Sequence, residues 1–320
     1  MIDPAPRLVT VIGGSGFIGR YVCEILLKAG VRLRVAERDP RRAWFLQPLG
    51  EVGQVAFASA DLARPASLTP AVEGAFAVIN LVGILKGNFQ AIHVAGAKAA
   101  AEAARDAGAS AFVQVSAIGA DPDSESAYGR SKGQGEAAVR AAFPTATIIR
   151  PSLVFGPEDQ LTNRFAGMAR LPILPVIAPN TRFQPVYVRD LAQAIAASAL
   201  DPATHGGKTY DIAGPQVMTM RALNAAIAKA SGQSPDLVDV PDFAADLMSR
   251  FGFLPGAPLT RDQWIMLQKD NVAAPKSEGL KAFGVDPTPL AAVAPEWLGR
   301  FRRGGRFAPD STDAPDTSND

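Results

Sequence analysis

At 320 residues, with 48% hydrophobic and 20% charged side chains, the chain can build a full core, either as one large domain or as a core with a smaller cap. A net charge of +1 gives no field to recruit nucleic acid or an anionic membrane, and no apolar run approaches the roughly eighteen residues of a spanning helix. A single cysteine, Cys23, excludes an internal disulfide and a cysteine-cluster metal site, and with only two histidines, His93 and His205, a histidine-based catalytic system or zinc site is not expected.

The opening MIDPAPRLVTV has no signal or transit pattern, so a cytoplasmic protein is expected. Short β-branched runs then alternate with longer Ala-rich stretches. LVTVI (8–12), VRLRVA (31–36), QVAFA (54–58), FAVINLV (76–82), AFVQVS (111–116) and ATIIRP (146–151) predict strands, with helices near 89–107 and 127–142. This alternation is the pattern of an α/β fold, a Rossmann-type doubly wound parallel sheet. The core is expected over 1–155, completed by segments near 183–214, where RDLAQAIAASAL (189–200) returns to helical period and KTYDIAG (208–214) reads as a strand. The proline-rich 156–182 and the mostly helical 215–303 predict a cap or substrate lobe, and 304–320 has little to bury and predicts a disordered tail.

Between the first strand and the first helix, VTVIGGSGFIGRYV carries Gly13, Gly16 and Gly19. The first glycine permits the tight turn, the second lets backbone approach a pyrophosphate, and the third lets helix pack on strand, so the turn predicts a dinucleotide site rather than a turn that binds nothing. The second strand ends in AERDPRR, where the adenosine ribose is read. Glu37 could accept both ribose hydroxyls and favour NAD, whereas Arg38, with Arg41 and Arg42, could pair a 2′-phosphate. The guanidinium cluster tips the expectation to NADP(H) over NAD(H). Asp61, just past the third strand, is placed either to contact the adenine amino group or to cap a helix, and NLVG (80–83) ends the fourth strand on the nicotinamide side.

The GxxGxxG spacing, Asp61, NLVG, Tyr128 and Lys132 in YGRSK, and RPSLVFGP together resemble the extended branch of the short-chain dehydrogenase/reductase superfamily. Longer strings, among them ERDPRRAWFLQPLGEVGQVAF, FQPVYVRDLAQAI and LTRDQWIMLQKDNV, are similar to the NAD(P)H-binding accessory-subunit family of respiratory complex I and its bacterial relatives. The resemblance implies a resident nucleotide, usually NADPH, tied to structure or assembly, with complex I subunits as partners and peripheral association at the inner face of the cytoplasmic membrane through them. Some relatives are linked to ubiquinone metabolism. It also implies a cofactor wall of Phe17, Ile18, Leu62, Leu81, Val82, Gly83 and Pro151 beside the glycines.

In working members of the superfamily the tyrosine is the general acid or base, and a lysine four residues later lowers its pKa from about 10 and holds the nicotinamide ribose. Tyr128 and Lys132 have that spacing, on one helix face. The third member departs from the pattern. In FVQVSAIGA, Ser116 falls on the earlier serine and Ala117 on the catalytic one, so only Ser116 or another hydroxyl could replace the missing donor. The sequence therefore leaves two readings open: a nucleotide held without turnover, or a soluble reductase, epimerase or dehydratase using Tyr128 and Lys132. A weaker third is a redox sensor. His93 is expected as a packing or surface residue, Cys23 as a buried thiol with no activating neighbour, and Phe251, Phe253 and Trp264 as core rather than a partner-facing surface.

Overall fold

A computed structural model describes residues 7–252 and 259–302. Phe253 and the expected tail at 304–320 lie outside the described residues. The chain runs β1 (Leu8–Ile12), α1 (Phe17–Lys28), β2 (Arg32–Glu37), β3 (Val55–Ser59), α2 (Leu68–Val72) and β4 (Ala77–Asn80). A π-helical stretch (Gln90–Gly96) leads directly into α3 (Ala97–Asp106), followed by β5 (Ala111–Val115), α4 (Ala127–Ala142), β6 (Thr147–Pro151) and β7 (Val154–Phe155). Next come α5 (Gln160–Met168), β8 (Ile173–Val176), β9 (Arg182–Phe183), β10 (Val186–Tyr187), α6 (Val188–Leu200), α7 (Pro202–His205) and β11 (Thr209–Ile212). Then follow β12 (Met218–Thr219), α8 (Met220–Ala230), β13 (Asp236–Asp239), α9 (Asp242–Arg250) and α10 (Arg261–Leu267).

Seven strands form one parallel sheet in the order β11-β6-β5-β4-β1-β2-β3. Its central strands are buried on both faces, which is why they read in the sequence as unbroken apolar runs. Strand alternation sorts their side chains into two cores. Val9, Val11, Ile79 and Val113 pack with Leu26, Leu191 and Ile195 from α1 and α6. Ile12, Val78, Phe112 and Ile148 face Ala100, Ala104 and Val139 from α3 and α4.

The helix expected at 89–107 begins as a π-helical turn, and the one expected at 127–142 has those bounds. Glycine in a helix interior costs about 1 kcal/mol relative to alanine, and α4 carries several because its neighbours lie so close. A Cβ on Gly135 would stand 2.1 Å from the His93 carbonyl oxygen, and one on Gly133 would stand 2.3 Å from the Pro122 nitrogen. Beyond β6 the chain builds small pairs, β8 with β13 and β9 with β12, under α5, α8, α9 and α10. Trp264 is buried in this region as expected, whereas Phe251 is exposed. Among the described residues no helix is long and apolar enough to cross a membrane.

Candidate functional site

The loop after β1 has the shape its glycines predict. Gly13 sits at φ 87°, a conformation that a side chain resists, and its amide donates to Ala36 O at 3.1 Å. Gly19 lies so close to the turn that a Cβ there would fall 2.5 Å from Gly13 O, whereas one on Gly16 would meet only that oxygen, at 3.3 Å. Gly16 is exposed at the N-terminus of α1, where free amides and the helix dipole favour an anion. Phe17 and Ile18 are half-buried beside it. One neighbour went unremarked in the sequence. Gly14 fits against Val35 and Cys23, where a Cβ would lie 2.8 Å and 3.1 Å from their side chains. Burial pushes the Cys23 thiol pKa up, as an unactivated thiol requires.

At the end of β2, Glu37 Oε1 accepts the Ser15 amide at 2.6 Å, tying the strand end to the glycine turn. Arg41 is committed to Asp39, with bonds of 2.8 and 3.0 Å. Arg38 and Arg42 are exposed, and neither side chain makes an ion pair among the described residues. Asp61 serves its own turn. It accepts the Ala63 amide at 3.0 Å and Arg64 Nε at 3.2 Å, contacts that hold its carboxyl below the usual range. Leu62 is buried against Gly96.

The ends of β4 and β5 are locked by residues the sequence reading passed over. Asn80 Oδ1 accepts the Val82 amide at 3.2 Å and its Nδ2 donates to Gln114 at 2.9 Å, while Gln114 donates to Val115 O at 3.1 Å. Lys132 reaches the same carbonyl, at 2.9 Å. Leu81 bonds back to Ile12 O, and Pro151 O accepts the Ile118 amide. Gly83 is exposed between two groups, since a Cβ there would be 4.0 Å from both Lys132 Nζ and His93 Nε2.

His93 belongs to this site, which its alanine-rich sequence context concealed. The π-helical turn sets it facing α4. Its Nε2 accepts the Ile84 amide at 3.0 Å, so Nδ1 carries the hydrogen and donates to Ser131 Oγ at 2.8 Å, and that hydroxyl donates to Tyr128 O. The ring stacks on Phe89 and meets the edge of Tyr128 at 5.6 Å. Burial, with Lys132 nearby, lowers its pKa to about 4, so the ring is neutral.

Helix α4 begins at Ser126, which caps Gly129, and a second cap comes from far along the chain. Asp262 on α10 accepts the Ala127 amide at 2.6 Å, the Tyr128 amide at 3.1 Å and the Ser126 hydroxyl at 3.1 Å. Lys132 is 6% exposed, and burial lowers its pKa to about 8 against the opposing pull of Glu136, itself paired with Arg150. Burial also raises the Tyr128 phenol to about 12, contrary to the lowering expected from a lysine neighbour. The reason lies in the folded site: Lys132 is turned to Val115 O, and desolvation governs the phenol. The Tyr128 phenol is thus neutral at pH 7.

Ser116 lies one residue past β5; its amide continues the sheet to Ile149 O at 2.7 Å, and its Oγ is buried with no hydrogen-bond partner among the described residues, beside half-buried Ala117. Tyr128 also lines a cavity of about 380 Å³ walled mainly by apolar side chains of the C-terminal region.

Comparison with known proteins adds to this geometry. Residues 9–213 match the NAD dependent epimerase/dehydratase family. The rat protein NADH dehydrogenase [ubiquinone] 1 alpha subcomplex subunit 9, mitochondrial, is 34% identical over 304 residues, covering 92% of this chain and 80% of the relative. Ceramide reductase of Caulobacter vibrioides is 35% identical over 248 residues, 76% of each chain. The solved NADPH-dependent quinone oxidoreductase of Escherichia coli shares the fold, with a TM-score of 0.73 and 22% identity over 90% of this chain and 99% of that one.

Proposed function

The chain belongs to the NAD dependent epimerase/dehydratase family, and from that footing we propose that it is an NADP(H)-holding protein of the complex I accessory-subunit type, its nucleotide a resident structural or redox-sensing group. The observation that carries the reading is the contrast within one site. The parts that hold a dinucleotide are built to close tolerance, while the position expected to donate to a reacting oxygen is Ala117 and the adjacent Ser116 hydroxyl is enclosed. Gly13, Gly16 and Gly19 with the amides of α1 would take the pyrophosphate, Asp61 and Leu62 would border the adenine, and Val82, Gly83, Tyr128, Lys132 and Pro151 would border the nicotinamide half. Arg38 and Arg42, uncommitted beside Glu37, support a 2′-phosphate and hence NADP(H). The mitochondrial relatives support complex I subunits as partners and, through them, peripheral association with a membrane; the cytoplasmic side is the expectation of the sequence alone.

A second reading, a reductase, has its own support in the apolar cavity at Tyr128 and in the neutral phenol there. NADPH, when bound, would supply hydride, and Tyr128 would give its proton to the carbonyl oxygen. The deciding experiment is gentle purification, denaturation and identification of any released nucleotide by mass spectrometry, with exchange of the native protein against labelled NADPH. Stoichiometric NADPH exchanging over hours supports the resident-nucleotide reading, and Tyr128→Phe leaves it bound. An empty site, or exchange within seconds, overturns that reading in favour of an enzyme.

A further inference from the structure

The cavity beside Tyr128 extends into the C-terminal region between Phe165, Met168, Ile177, Phe183, Met220 and Leu267. Its volume, about 380 Å³, falls within the range of small-molecule sites. Water is a poor occupant of such walls, because each buried water needs two to four polar partners. Methionine is over-used on surfaces that accept varied apolar ligands, and Met248 and Met266 bring the lining methionines to four. One buried polar group in the wall lacks its partner. Asn224 is 1% exposed, its Nδ2 donates to Met220 O at 2.9 Å, and its Oδ1 accepts nothing from the protein.

The opening has a different chemistry. Arg164, Lys269 and Asp270 are exposed lining residues. Arg182 neutralises Asp270 at 2.6 Å, while Arg164 and Lys269 make no ion pair among the described residues. The apolar surface also continues outward, since Met248 both lines the cavity and is exposed, and Phe243 and Leu247 on the same helix, with Phe251 just past its end, are exposed. An apolar interior with two spare cations at its opening matches a molecule with one long hydrocarbon chain and an anionic head.

We propose that this cavity binds the hydrocarbon chain of an anionic membrane amphiphile, with its carboxylate or phosphate head at Arg164 and Lys269. The proposal goes beyond the nucleotide reading, because a chain can fill the cavity whether or not a nucleotide turns over. The test uses the full chain and cis-parinaric acid, whose fluorescence rises on burial, with displacement by dodecyl compounds kept below their micelle concentrations. Saturable one-site binding is expected, displaced by dodecanoate or dodecyl phosphate at least tenfold better than by dodecyltrimethylammonium. The preferred head among the two anions separates a free fatty acid from a phospholipid source. Arg164→Ser with Lys269→Ser should weaken dodecanoate about tenfold and leave dodecanol unchanged. Met266→Trp, which narrows the half-exposed mouth, should abolish binding with NADPH affinity retained. Absence of saturable binding by wild-type protein, equal displacement by the cationic compound, or full binding by Met266→Trp overturns the proposal.

Discussion

Replacing Lys132 by methionine keeps the volume of a buried side chain and removes its charge, and the structure gives the size of each consequence. The fall of the lysine pKa from 10.5 to about 8 is a preference of the folded site for the neutral amine, equivalent to about 3 kcal/mol of instability at pH 7. Because the folded value lies below the unfolded one, the unfolded chain holds a proton that the folded chain has lost between about pH 8 and 10.5. Stability therefore rises with pH across that window, and the penalty is complete below it. Methionine also forfeits the bond from Nζ to Val115 O, but Gln114 still donates to that oxygen, so the loss stays near 1 kcal/mol. The nucleotide-free variant should be more stable than wild type by about 2 kcal/mol at pH 7, an advantage that disappears toward pH 10. Its NADPH affinity should fall about 10–100-fold, the worth of a charge-assisted hydrogen bond. Urea melts of both proteins at pH 7 and pH 10, with titration calorimetry at pH 7, measure all three quantities. A variant less stable than wild type at pH 7, or a difference that ignores pH, would refute the reasoning.

Four further substitutions test other parts of the site. Gly19→Ala places a methyl against backbone atoms at 2.5–2.6 Å that cannot rotate away, so it should cost about 1–3 kcal/mol in thermal melts, and Gly16→Ala, with one contact at 3.3 Å, clearly less; the reverse order would contradict the packing. Arg38→Ala should reduce NADPH affinity at least tenfold while sparing NADH, and equal losses by calorimetry would remove the 2′-phosphate assignment. Asp262→Ala uncaps the Ala127 and Tyr128 amides and should cost about 1–2 kcal/mol in urea, with Ser126 still capping Gly129; unchanged stability would show that the long-range cap does no work.

Local chemistry explains what could be read from the chain alone. Strands buried on both faces must be continuously apolar, so β1, β4 and β5 declared themselves, and the Ala-rich stretch at 127–142 read as a helix, the bounds α4 has. The glycine turn was legible because both Gly13 and Gly19 answer to steric limits within a few residues of themselves. The same locality explains the misses. His93 sits among alanines, and only the π-helical turn and the approach of α4 through Gly135 bring its ring to Tyr128 and Ser131. Asn80 and Gln114 look like ordinary polar interruptions until adjacent parallel strands set them side by side.

By itself, then, the sequence determined the parallel α/β core, the dinucleotide turn and the absence of a serine at position 117, because each depends on residue type and near-neighbour spacing. Only tertiary structure decided the ionisation of the site and its walls. Burial raises Tyr128 and lowers Lys132 and His93, Asp262 reaches α4 from the far end of the chain, and α5, α8 and α10 close an apolar cavity against the same tyrosine. Desolvation and long-range contact depend on what surrounds a group in space, and that is set by how distant segments pack.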